Sequence, residues 1–130
     1  MSIVERLPII AGAIIGGLSV AGGAFGAHGL KAVLEASGQA ANWETAARYA
    51  MYHALALVAV GLLAAVRPAS SSLLTPATWC FVVGTAIFSG CLATLAVTGI
   101  RILGAIVPIG GVLLIAGWAL LALAASRAEP

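Results

Sequence analysis

Four stretches of this 130-residue chain contain no Asp, Glu, Lys or Arg: Leu7 to Leu30, Tyr49 to Val66, Pro68 to Ile100 and Ile102 to Ser126. Each is long enough to cross the roughly 30 Å hydrocarbon core of a bilayer as an α-helix rising about 1.5 Å per residue. A soluble domain carries charge on about a quarter of its residues, whereas 8% are charged here and 62% are hydrophobic. The sequence therefore reads as an all-α polytopic membrane protein: one domain over residues 1–130, a four-transmembrane-helix bundle with spans near 7–29, 45–66, 76–98 and 102–125. A short interfacial helix is expected between the first two spans. The partner such a chain requires is the lipid bilayer itself.

The ten charged residues, six basic and four acidic, are scattered singly. No basic stripe exists that could neutralise a run of phosphates, which excludes nucleic acid as a partner. Cys80 and Cys91 fall on one predicted helix about 16 Å apart along its axis, beyond disulfide reach. They read as small core residues. An even number of spans puts both termini on one side of the membrane. Arg6, Arg67 and Arg127 mark one face and Lys31, Arg48 and Arg101 the other. Assigning Arg48 to an i, i+4 pair with Glu44 within the helix leaves three basic residues against two, which places the termini in the cytoplasm.

Local signals punctuate the spans. Pro8 suits the first turn of a helix starting near Leu7, where a missing N–H costs nothing. The basic start, the apolar stretch and the small residues around Ala21 to Ala24 also resemble the three regions of a secretory signal, the alternative reading of this segment. Leu30, Val33 and Leu34 share one face of the interfacial helix, which Ser37-Gly38 ends. Asn42 is placed as the N-cap of the second span, with Glu44 in its first turn, and Arg67-Pro68 stops it. Thr75-Pro76 reads as N-cap and first residue of the third span, and Gly99 as its C-terminal stop. Only Gly99-Ile100-Arg101 then separates the last two spans, which predicts a tight hairpin. Pro108, beside Gly110-Gly111, frees the Gly104 carbonyl and predicts a kink.

Helices in lipid associate by close packing, which small residues permit. Gly12 and Gly16, and Gly22 and Gly26, are spaced by four on the first helix; Ala86 and Gly90 repeat the spacing on the third. These ridges suit packing within one bundle, or alternatively self-association through helix one. Polar residues in the spans are costly unless paired or able to reach the interface, and they cluster. His28 closes the first helix while Glu44, Arg48, Tyr49, Tyr52 and His53 open the second, at the same membrane face. Glu44, Arg48 and Tyr52 follow one four-residue row, and Thr45, Tyr49 and His53 the next. A hydrogen-bonded structural network is the simplest reading of this cluster; a site for a proton, a polar head group or a ligand is the sharper one. No metal-ligand spacing is present, and no metal or cofactor is expected. No nucleophile-plus-base arrangement and no phosphate-cradling loop is visible, so no catalytic residue is assigned.

The segments GAFGAHGLK (23–31), ETAARYAMYHALAL (44–57), FSG (88–90) and LAVTGIRILGAIVPIGGVLLIAGWALLALA (95–124) together resemble the YgdD-like family of small four-helix membrane proteins, domain-of-unknown-function family four-two-three. The resemblance runs through nearly the whole chain in order. It implies a multi-pass protein of the bacterial inner membrane and brings no activity, substrate or cofactor. The family pattern commonly carries a tyrosine shortly after FSG and a threonine before the last proline; Ala93 and Val107 stand there in this chain. His28, Tyr49 and His53 match the pattern. The function expected is that of a non-enzymatic structural or accessory membrane component. The alternative is a small permeation or carrier subunit with a polar site at the face of the first loop.

Overall fold

The computed structural model describes residues 1–127. These form α1 (Ile3–Ala27), α2 (Lys31–Ala36), α3 (Ala40–Val66), a 3-10 turn at Pro68–Ser70, α4 (Ser71–Thr98) and α5 (Ile102–Ser126). The protein is all-α. Four helices, α1, α3, α4 with its 3-10 lead-in, and α5, are long and apolar enough to cross a membrane.

Three of the long helices begin earlier than the sequence signals suggest. α1 starts at Ile3 because the Glu5 carboxylate accepts the Ser2 N–H at 3.1 Å and the Ser2 hydroxyl at 3.0 Å, satisfying groups that a helix start leaves without partners. Pro8 is thereby the sixth helical residue rather than part of the first turn. α3 is capped at Gln39, not Asn42; the Asn42 side-chain amide donates to Gln39 Oε1 at 2.8 Å within the first turn. α4 starts at Ser71, so Thr75 and Pro76 lie inside it. Pro76 frees the Ser72 carbonyl in the helix's first turn, and both residues are exposed there, so the missing bond interrupts nothing further along. α5 is likewise unbroken through Pro108, which sits in its second turn.

The helix ends follow the expected chemistry. α2 stops before Gly38, whose φ is 70°, and Gly99 closes α4 at φ 72° with its N–H on the Leu95 carbonyl at 2.8 Å. Glycine adopts this left-handed conformation without the steric cost of a Cβ. The three-residue hairpin between α4 and α5 follows directly. At the opposite end of the molecule, Arg67 Nη1 donates to the carbonyls of Ala125 at 2.9 Å and Arg127 at 3.1 Å. A cation is thereby placed on the negative end of α5. Ser70 Oγ adds a bond to the Ala124 carbonyl at 3.3 Å.

Packing follows a simple series: α1 lies on α3, α3 on α4 and α4 on α5. The core sits at the α3–α4 contact, where Leu57, Val60, Leu74 and Phe81 are fully buried, and Leu114 and Ala124 of α5 complete it. α1 contributes Val4, Ala11 and Ile15 from one side and leaves most of its surface outward. Glycines set the closest approaches. A Cβ on Gly12 would stand 2.6 Å from the Ala54 carbonyl oxygen, and one on Gly61 would stand 2.7 Å from that of Glu5, so α1 and α3 cross nearly backbone to backbone. Between α4 and α5, a Cβ on Gly110 would lie 2.8 Å from the Gly84 oxygen.

Candidate functional site

The polar residues at the start of α3 divide into two groups once the helix is built. Glu44, Arg48 and Tyr52 lie on its outer row, where Arg48 Nη2 and Glu44 Oε1 stand 3.9 Å apart with both side chains largely exposed. An exposed pair at that distance contributes little, about 0.3–0.5 kcal/mol. Tyr49 and His53 lie on the adjacent row and lead inward. Tyr49 packs its ring 5.0 Å from Phe88, 5.5 Å from Tyr52 and 6.2 Å from the His53 ring.

His53 is 4% exposed. Thirteen residues, about 20 Å of helix rise, separate it from the end of α3 at Val66. Its Nδ1 stands 2.6 Å from the Tyr49 carbonyl oxygen, and Trp118 Nε1 of α5 donates to its Nε2 at 3.1 Å. An indole N–H can only donate, which assigns the lone pair to Nε2 and the proton to Nδ1, donated to Tyr49. The imidazole is thus neutral with both nitrogens engaged. Phe81 of α4 packs 5.8 Å from the His53 ring and 5.3 Å, edge to face, from Trp118. One hydrogen-bonded aromatic knot therefore joins α3, α4 and α5. In this arrangement the ring offers no free lone pair to a metal or a substrate proton.

His28 takes no part in it. It is the exposed C-cap of α1, where its backbone N–H donates to the Ala24 and Phe25 carbonyls at 3.1 and 3.3 Å. The residue that α1 does receive from the start of α3 is Trp43, whose ring lies against Gly26 and whose Nε1 donates to the Gly22 carbonyl at 2.8 Å. Ser19 Oγ extends the same seam with a bond to the Ala47 carbonyl. Among the described residues, no three His, Cys, Asp or Glu side chains converge as a metal site would require.

The remaining small residues singled out in the sequence fall into two kinds. Gly12 and Gly26 are positions where a side chain would collide with α3. Gly16 has room for a Cβ, 3.7 Å from that of Ala54, and Gly104 likewise, 3.6 Å from Leu95, while Gly22 and Gly90 face nothing within 4 Å. Sequence reading passed over Trp43, Phe81, Gly84 and Trp118, and took Gly110 only as a neighbour of the Pro108 kink. A signal for them exists in helical spacing: Phe81, Gly84 and Phe88 share one face of α4, and Gly110, Leu114, Gly117 and Trp118 one face of α5.

Comparison with known proteins yields one family and a set of bacterial relatives. The family described as "Protein of unknown function (DUF423)" matches residues 22–111. A UPF0382 membrane protein of Staphylococcus haemolyticus is 47% identical over 116 residues, 89% of this chain and 92% of the relative. The UPF0382 membrane protein YwdK of Bacillus subtilis is 45% identical over 119 residues, 92% of this chain and 95% of the relative. No solved structure matches the chain.

Proposed function

We propose, from the premise that the chain belongs to the DUF423 family, that this membrane protein is a non-enzymatic structural or accessory component of the bacterial inner membrane. The observation that carries the reading is the state of His53. It is the histidine buried within the bundle, and both its nitrogens are bonded within the fold. One partner, the Tyr49 carbonyl, belongs to His53's own helix and the other, Trp118, to α5, so the ring ties α3 to α5 as a packing lock does. In this reading the spans expected at 45–66, 76–98 and 102–125 lie within α3, α4 and α5, the one expected at 7–29 overlaps α1 as far as Ala27, and both termini face the cytoplasm.

A pair of double-mutant cycles tests the proposal. Hydrogen bonds between membrane helices are worth about 0.6 kcal/mol on average and up to about 1.7. His53→Ala with Trp118→Phe is expected to show coupling in that range on unfolding in mixed micelles. His28→Ala with Tyr52→Phe is expected to show none. Loss of a cellular phenotype in His53→Ala with unchanged stability overturns the structural reading and favours a proton or ligand site.

A further inference from the structure

A cleft of about 440 Å³ lies where α1, α3 and α4 diverge toward the end of the molecule that holds the first loop. Its walls are mostly small: Gly22 from α1, Ala46 and Ala50 from α3, Gly90 from α4. No charged side chain lines it. Two of its polar residues, Ser19 and Trp43, spend their donors on backbone carbonyls across the α1–α3 seam. The other two do not. Thr85 and Ser89, 4% and 8% exposed, both line the cleft, and their hydroxyl oxygens are buried with no hydrogen-bond partner.

Among the described residues, these are the two buried side-chain polar atoms that lack a partner. On the same helix Thr78, Thr94 and Thr98 each donate to the carbonyl four residues earlier, at 2.9, 2.7 and 2.6 Å, the usual way a helix satisfies a hydroxyl in an apolar setting. A buried hydroxyl left unpaired is destabilising. A rotation about χ1 turns either side chain among its staggered positions, so each can meet an acceptor entering the cleft. We infer that the cleft is a binding site for an uncharged, lipid-soluble molecule bearing a carbonyl oxygen, which accepts hydrogen bonds from Thr85 and Ser89.

Depth and charge select this class. Ser89 and Thr85 lie nine and thirteen residues before the end of α4 at Thr98, about 14 and 20 Å of helix rise. A phospholipid head group anchored at the interface does not extend that far into hydrocarbon, and an ionised ligand would find no counter-charge there. A molecule that is apolar along its length with oxygen at one end satisfies both hydroxyls and the apolar walls.

The test compares two probes with the same tail, a decyl-substituted benzoquinone and decylbenzene, on the full chain in detergent micelles. The quinone is expected to raise the thermal midpoint of the wild type and to quench Trp43, which lines the cleft; decylbenzene is expected to do neither. Thr85→Val/Ser89→Ala should weaken the quinone effect at least tenfold while leaving the midpoint without probe unchanged or higher, since the replaced hydroxyls have no partners to lose. Equal shifts with both probes, no shift with the quinone, or a double variant that responds as the wild type each overturns the site. A double variant destabilised without probe also overturns it, by showing that the hydroxyls are satisfied within the fold.

Discussion

Trp43 and Trp118 show how an indole N–H behaves in a chain with few polar groups: each reaches across to a different helix for its acceptor. A tryptophan in an apolar setting still needs a partner for its single donor. Trp43→Phe keeps the ring against Gly26 but strands the Gly22 end of the seam without its donor. The expected cost is about 0.6–1.7 kcal/mol, read from unfolding in mixed micelles. Glu44→Gln, which loosens only the exposed 3.9 Å pair with Arg48, is expected to change stability by less than about 0.5 kcal/mol in the same assay. The contrast separates a bond within the bundle from one at its surface. Tryptophan and histidine types were visible in the sequence, but which donor met which acceptor was not, because the partners lie 21 and 65 residues apart.

Between helices, closeness is set by glycine rather than by large apolar side chains, because lipid solvates leucine as well as a neighbouring helix does. The α4–α5 contact depends on Gly84 and Gly110 standing oxygen against α-carbon. Gly110→Ala places a Cβ 2.5 Å from the Phe88 backbone nitrogen, where no flexible side chain can yield, so the helices must separate. Overpacking of this kind costs about 1–3 kcal/mol. Gly90→Ala, on α4 with nothing within 4 Å, is expected to be neutral or slightly stabilising, as alanine is the better helix former. If both substitutions have equal effects, close approach is not what holds this pair. The four-residue ridges read from the sequence identified where small residues recur. They could not distinguish Gly12, pressed on Ala54, from Gly22, which faces open space, because period alone does not say which face a neighbour occupies.

In the molecule as a whole, the series α1–α3–α4–α5 leaves α1 supported mainly by α3, with most of its surface outward. That surface is where self-association through helix one is proposed. Gly17→Leu, at an exposed position of α1 whose Cβ would meet nothing within 4 Å, is expected to shift a dimer toward monomer in native mass spectrometry from nanodiscs, whereas a wild type that is monomeric throughout removes the idea. Reporter fusions at the N-terminus, near Ser71 and at the C-terminus should all report one side of the membrane, and a fusion near Ser37 the other. A mature chain beginning near Ala24 would instead make the first segment a signal and invalidate the four-span topology.

Charge-free length decided the number of long helices, since nothing but a helix satisfies its own backbone over that many apolar residues, and the glycines at 38 and 99 decided where two helices stop. Those properties are local and were readable. Helix starts were less so: α1, α3 and α4 all begin before the starts that the sequence signals mark, because Ser2, Gln39 and the 3-10 turn at Pro68–Ser70 extend the helices outward through polar residues. The tertiary structure alone decided that His28 and His53, one at a loop and one in the core, do not meet. Rotation and depth of each helix set which side chains face inward, and those follow from contacts such as Gly110 on Gly84 and Trp118 on His53, which join residues far apart in the chain.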